Sequence, residues 1–530
     1  MSISVGELGS SRNIQGLVIG LGILAITWEL ATWIVAGQDT LLLYAGVAIG
    51  VVAATIYILN DWRSGFYIFV AWLMFEDLAR KFLGNNMMVF FGKDFLVAVI
   101  YLSCFIAWRR RRFEYFRPPF WLPLSLFFWL LIVQVFNTGS PSIFYGLLGL
   151  KLYVYYLPLM FVAYALVRTP EELNRFMTFS VILAVVISTI GLYQETVNIN
   201  FLSPAQLAPE LQELGRLTRM APLTHQLIHV PTGVFVSGGR FAQFLILMWI
   251  VAMGELGYVL LSRRPGAKYA IVALGTITAS TMLCGTRHAL IFTGISILTM
   301  SAAFLWGAPW HWGQGHRLSK AIRRTFLIGA ASLLLLMEFS PTILGAHWAF
   351  FSETMNPLSS ASQFHGRVVE YPWVNLQKAF AHPDWILGDG TGTASIGTQY
   401  VARYLGVPPA TGAVENGFGT LIVEMGILGL LLWFVWTGAM LYFQWQIVLK
   451  LRQTVYFPVA FAIFWYSFLL LVPLTYLTLE VYQNFVNNAY LWILTGVMFR
   501  LPQLAKMPQP VPISKRAHAR LRLGMVAGSQ

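Results

Sequence analysis

The sequence predicts an all-α protein, a polytopic transmembrane helical bundle of about 12 to 14 spans, and three observations carry that prediction. Of 530 residues, 57% are hydrophobic and only 11% charged, against roughly 25% charged in an ordinary soluble domain. Apolar stretches of roughly 20 residues recur along the chain, and at about 1.5 Å rise per residue each is long enough to cross a hydrocarbon layer of about 30 Å. Lys and Arg gather in the short segments between those stretches. The spans are helices because lipid offers the backbone no hydrogen-bond partner, and the alternating segments of about ten residues that mark a membrane barrel are absent.

Apolar runs place spans at 15–36, 40–59, 64–82, 92–108, 119–137, 143–167, 175–193, 241–261, 268–285, 288–306, 325–345, 417–444, 455–474 and 484–500. The first is read as an uncleaved helix, because Arg12 precedes an apolar run with no A-x-A-like cleavage site. The net charge of +13 would suggest nucleic acid in a soluble chain. Here the surplus sits beside apolar runs, which is the pattern of membrane topology, and no nucleic-acid partner is expected. Placing the cluster Arg109 to Arg112 with Arg117 inside also puts inside Arg168 and Arg175; Arg263, Arg264 and Lys268; Arg317, Lys320, Arg323 and Arg324; and Lys450 with Arg452. Both termini are then cytoplasmic. The chain divides into N-terminal transmembrane helices 1–193, an extracytoplasmic loop 194–240, central helices 241–345, a large extracytoplasmic loop 346–416, C-terminal helices 417–502 and a basic cytoplasmic tail 503–530. Cys104 and Cys284 fall at opposite faces of the membrane, which argues against a disulfide or a metal site built on them.

The two long loops are the first places to look for function, since long ordered loops on a tight bundle usually carry it. The run Gly388-Asp389-Gly390-Thr391-Gly392-Thr393 reads either as turns at a packed surface or as a phosphate-approaching loop, although no P-loop lysine follows it. Cations outside the cytoplasmic clusters are more telling. Arg216, Arg219, Arg240, Arg287, Arg367 and Arg403 lie outside or at the outer ends of helices, joined by Arg80, Lys81 and Lys93. A cation near hydrocarbon costs about 2.5 to 3.5 kcal/mol at helix centre, so several on one face call for a compensating anion. Each has a plainer reading. Arg240, Arg216, Arg219, Arg80 and Lys81 could meet lipid headgroups; Arg287 could anchor the interface; Arg367 could pair with Glu370. His365, His382, His225 and His229 are more often structural. In Val414-Glu415-Asn416-Gly417-Phe418, Glu415 precedes an apolar helix and serves either as its N-terminal cap or, with its pKa raised in a half-buried cavity, as a general base. Gly426 and Gly429 on that helix allow close packing.

These residues resemble the O-antigen ligase and polymerase family. The ligase signature is His, then Asn, Ser or Gln, nine residues, Gly, two residues, and Gly, Thr or Val. Glu415, Asn416, Gly426 and Gly429 match that spacing with Glu in place of His. The family's arginine motif, Arg with Leu four residues on, is met loosely by Arg287 with Ile291 and Arg240 with Phe244. The resemblance implies a GT-C-like membrane glycosyltransferase without metal or other cofactor, in the bacterial inner membrane. Its partners would be an undecaprenyl-diphosphate-linked glycan donor, a glycan acceptor, membrane lipid, a flippase and a chain-length regulator. It implies diphosphate binding by Arg240, Arg287, Arg367, Arg216 and Arg219, with Arg80, Lys81, His365 and Glu370 as further candidates. Glu415 would be the base, and Asn416 would orient Glu415 or a sugar hydroxyl. The missing His favours an exopolysaccharide or O-antigen polymerase over a ligase onto lipid A core. A transporter or flippase is the competing class, for which Glu76 and Asp77 inside the third span are the best feature, unless they pair with Arg80 and Lys81. A scaffold or sensor would leave the outer arginines unexplained.

Overall fold

A computed structural model describes residues 39–84, 87–204, 217–264, 266–310, 341–406 and 414–507, with isolated positions between 311 and 340. It is helical, 74% helix against 1% strand. The helices are α1 (Asp39–Asn60), α2 (Trp62–Phe82), α3 (Met87–Arg109), α4 (Trp121–Val135), α5 (Ile143–Val154), α6 (Leu159–Leu166) and α7 (Pro170–Thr196). A hairpin of β1 (Thr218–Met220) and β2 (Leu227–His229) leads into α8 (Gly238–Leu261), α9 (Ala267–Leu283) and α10 (Arg287–Gly307). Then come α11 (Pro341–Met355), a π-turn at Gly366–Glu370, α12 (Tyr371–Phe380) and α13 (Thr398–Leu405). The chain closes with α14 (Gly417–Lys450), α15 (Phe457–Leu469), α16 (Thr475–Leu477), α17 (Glu480–Gln483) and α18 (Phe485–Lys506).

Among the described residues seven helices are long and apolar enough to cross a membrane, by length and composition. Twelve of the fourteen expected spans coincide with helices. The span at 15–36 lies outside the described residues, as does most of 325–345, whose last residues belong to α11, a helix that runs on to Met355. The segment 346–416 is not one open loop: it holds most of α11, then α12 and α13.

Local chemistry sets several boundaries. Thr169 and Glu172 close a capping box ahead of α7, with Pro170 at its first position. Pro158, which has no N–H and crowds the preceding turn, separates α5 from α6 within one span. Helix α8 is apolar on all sides and therefore central. A side chain at Gly257 would lie 2.6 Å from the Pro458 Cβ, so the small residue is what lets α8 and α15 approach. Apolar side chains such as Val133, Leu298 and Leu305 stay exposed on the outer faces, the surface a bilayer covers.

The two ends of the bundle differ. At one end Arg264 pairs with Glu171 (2.9 Å), Arg63 with Glu172 (2.8 Å) and Arg500 with Glu114 (2.5 Å), and Arg168 donates to the Arg112 carbonyl. The hairpin, α11 to α13 and the 478–484 turn gather at the other end. Cys104 and Cys284 are free and buried.

The glycine run at 388–392 is a wedge. Asp389 N–H donates to the Val423 carbonyl (2.8 Å), Gly390 N–H to that of Glu424 (3.0 Å) and Thr391 N–H to that of Gln134 (3.2 Å). These amides are spent on carbonyls of α4 and α14, so the phosphate-loop reading is corrected to that of a packed turn. The buried Glu424 carboxylate locks it further, accepting from Ser395 (2.6 Å), Tyr153 (2.8 Å) and Ala394 N–H (3.1 Å). The wedge breaks α14 at Gly426 (φ 69°, ψ −173°), where an added Cβ would lie 2.0 Å from the Ile386 carbonyl. Gly426 is thus a backbone break against the wedge, not a point of close helix packing. Gly426→Ala, combining left-handed strain with that clash, is expected to cost about 2 kcal/mol or more. A fall of several degrees in the thermal midpoint in detergent, with the protein still inserted, is the expected reading; an unchanged midpoint would contradict the wedge.

Candidate functional site

The hairpin is held before it holds anything else. Glu353 of α11 accepts from the N–H groups of Leu223 (2.6 Å) and Thr224 (3.1 Å) at the hairpin tip. Ile228 is buried with Ala346 and Phe350. So fixed, Arg219 donates to the Gly285 carbonyl at 3.0 Å. Gly285 has φ +65°, and a Cβ there would sit 2.7 Å from the His229 carbonyl, so the α9–α10 turn presses against the hairpin.

That turn aims Arg287, the first residue of α10. Its guanidinium donates to Gln363 Oε1 (2.7 Å) and lies over the Phe350 ring at 5.8 Å. Arg367, on the π-turn, lies over Tyr371 at 5.1 Å. Arg219, Arg287 and Arg367 each stand in the repulsive field of another of the three. Burial first, opposed by the nearby Cys284 thiol and reinforced by Arg367, holds the Arg219 pKa below its ordinary value. Among the described residues no carboxylate pairs with any of the three. Arg287 also sits at the positive end of α10, where Thr286 supplies no side-chain cap. Three guanidiniums beside an uncapped helix terminus, none paired with a carboxylate among the described residues, have the chemistry that suits a polyvalent anion.

Tyr371 connects this site to the signature helix: its hydroxyl donates to Glu415 Oε2. That hydrogen bond first and burial second raise the Tyr371 pKa. Glu415 is exposed, so the half-buried setting expected of a base is not met there. Asn416 is fully buried, accepts from Gly419 N–H (2.9 Å) and donates to the Pro372 carbonyl (2.9 Å). It is the cap of α14 and the tie to α12, so the expectation that it orients Glu415 or a sugar hydroxyl is corrected. Glu415 is correspondingly not the cap.

Arg240, Arg80 and Lys81 meet a different fate. Arg240 reaches both Asp77 oxygens (2.9 and 3.2 Å), and Arg80 pairs with Asp77 (2.9 Å) and Glu76 (3.7 Å). Lys93 faces Glu76 at 3.8 Å, and Lys151 meets Asp94 at 2.5 Å. Lys81 donates to Thr232 Oγ1 (2.8 Å) and closes no ion pair among the described residues. For Arg240, Arg80 and Lys93 the compensating anions therefore come from α2, and no external diphosphate is needed to explain their burial. The same pairing answers for Glu76 and Asp77, which belong to an internal network with Arg80; Lys81 feels the Asp77 charge without a direct ion pair to it. His365 and Glu370 form an exposed pair at 3.1 Å, which leaves Arg367 free of the ion pair with Glu370 that its sequence neighbourhood suggested. Arg216 lies outside the described residues.

Arg219, Arg287, Arg367 and Glu415 are thus brought together through Gly285, Gln363 and Tyr371, while Arg240 is committed to Asp77. Tyr371 and Gln363 carried no sequence signal as site residues; the residues they reach, Glu415 and Arg287, are far away along the chain. The chain matches no family model, no curated protein and no solved structure.

Two outcomes follow from this geometry. Asn416→Ala removes a cap and strands the Pro372 carbonyl, and is expected to lower stability by about 1 to 3 kcal/mol, read as a drop in the detergent melting midpoint. Inorganic pyrophosphate should bind the purified protein measurably more tightly than monovalent anions do, and Arg287→Ala should weaken it at least about tenfold by calorimetry. Equal binding by the variant would rule out the anion site.

Proposed function

We propose that the protein is a membrane glycosyltransferase that polymerises or transfers undecaprenyl-diphosphate-linked oligosaccharide at the extracytoplasmic face of a bacterial inner membrane. The observation that carries this reading is the Arg219, Arg287 and Arg367 triad, unpaired with any carboxylate among the described residues, set beside the Tyr371 and Glu415 pair. A lipid diphosphate is the polyvalent anion a membrane supplies at that level.

In the reaction, the acceptor hydroxyl oxygen attacks the anomeric carbon while the bond from that carbon to the diphosphate breaks. The electron pair leaves with the diphosphate, where fixed guanidiniums meet the growing charge. A carboxylate beside the arginines takes the hydroxyl proton, a part the signature position gives to Glu415. Glu in place of the ligase His favours a polymerase of exopolysaccharide or O-antigen over a ligase acting on lipid A core. The transporter reading is weakened by the neutralisation of Glu76 and Asp77 within the protein.

Purified protein incubated with a lipid-diphosphate oligosaccharide should yield a ladder of products on a gel; a single discrete shift on adding an acceptor would indicate a ligase instead. Arg287→Ala and Arg367→Ala should each slow product formation about a hundredfold or more while inserting normally. Wild-type rates in both variants would end the proposal.

A further inference from the structure

Helix α12 lies outside the spans that hydropathy predicts, yet its free side is apolar. Pro372, Asn375 and Ala379, three and four residues apart, form the buried side that packs on α14. Trp373 and Phe380, two turns apart, share the other side and stay exposed. The chain beyond continues that strip with Ile386 and Leu387, the latter 69% exposed. Large apolar side chains gathered on one exposed face mark a surface that meets something other than water.

The contacts of this segment run down α14. The Pro372 carbonyl accepts from Asn416 at the head of that helix (2.9 Å), a Cβ at Gly419 would lie 3.2 Å from that of Ala379, and one at Gly426 would lie 2.0 Å from the Ile386 carbonyl. Each step along 372–386 is therefore a step further along α14. With 34 residues α14 is about 51 Å long, against a hydrocarbon layer of about 30 Å. About 20 residues counted back from Lys450, whose charge belongs at the far headgroup level, put the near edge of the hydrocarbon close to Leu430. The break at Gly426 stands at that edge, and Ile386 and Leu387 stand with it. The strip is continuous with the face a bilayer covers: Leu428 and Leu431 are exposed on α14 just past the break, and Gln134 of α4, next to the exposed Val133, donates to the Leu387 carbonyl (2.7 Å).

We propose that α12 and the turn after it dip into the membrane leaflet at the hairpin end of the bundle, with Trp373, Phe380, Ile386 and Leu387 packed against the acyl chains of membrane lipid. Trp suits a level where its ring meets hydrocarbon and its N–H meets water, and the exposed Lys378 on the same helix stands ready for headgroup phosphate. The descent puts part of the 346–416 segment in lipid and holds Arg367, just ahead of α12, above the headgroups. The contact is with bulk membrane lipid and needs no glycosyl transfer.

The test is spin-label accessibility of the full chain in phosphatidylcholine and phosphatidylglycerol nanodiscs. Cys104 and Cys284 are free and buried, so a single surface cysteine takes the nitroxide. Labels at Trp373→Cys, Phe380→Cys and Leu387→Cys are compared with Leu431→Cys on α14 and with Glu370→Cys above the strip, as the ratio of collisions with oxygen, which partitions into hydrocarbon, to collisions with a water-soluble nickel chelate. The ratio should rise from Trp373→Cys to Leu387→Cys, come within about threefold of Leu431→Cys at Phe380→Cys and Leu387→Cys, and exceed that of Glu370→Cys at least about tenfold there. Ratios at Phe380→Cys and Leu387→Cys nearer to that of Glu370→Cys would overturn the proposal, since the strip would face water. Exclusion of both reagents would overturn it too: dipolar broadening between labels would then identify a second copy of the chain, and its absence another protein surface. Should Leu387→Cys fail to fold because it adjoins the wedge, Phe380→Cys, on the exposed side of α12, decides by the same comparison.

Discussion

Three positive charges in one another's field, none paired with a carboxylate among the described residues, are the constraint on which the candidate site depends. Guanidiniums repel, and solvent screens charges this near one another only in part. Arg219, Arg287 and Arg367 stay together because each is fixed by something other than an acid: a carbonyl at Gly285, an amide at Gln363, an aromatic face at Tyr371. Those contacts in turn need the hairpin pinned by Glu353 and the α9–α10 turn closed at Gly285. The architecture of this end of the bundle is thus a frame for unneutralised charge.

The contrast with the interior makes the point. Elsewhere in the bundle, Arg80, Arg240 and Lys93 are buried more deeply, yet Glu76 and Asp77 accompany them. A buried cation with a carboxylate at 2.9 Å is a structural element, costly to break and of little use to a ligand. A less buried cation without one awaits an anion. The two groups of arginines have the same composition in sequence and opposite roles in space.

Much of the fold is legible in the chain because apolar length alone marks a span: the helices at 170–196, 238–261 and 417–450 lie where hydropathy puts them. The breaks are less so. Pro158 is a local signal that an uninterrupted apolar run conceals, and Gly426 bends α14 only because the 386–390 segment, some forty residues earlier, wedges against it. Of the site, Arg219, Arg287, Arg367 and Glu415 are visible as charges in the wrong place. Arg240 is visible too, but its partner Asp77 lies 163 residues away, and no pattern along the chain reveals such a pairing. Asn416 has the local spacing of a cap, Asn with Gly419 three residues on, and the family signature outweighed that plainer meaning.

The most direct test of the anion frame is density for undecaprenyl diphosphate bound to the protein in lipid nanodiscs by electron cryo-microscopy. The account predicts the diphosphate among Arg219, Arg287 and Arg367, within hydrogen-bond reach of at least two of them, with the prenyl chain running out to the bilayer. Diphosphate bound elsewhere, or at the Asp77 and Arg240 network with the triad empty at saturating ligand, would contradict it.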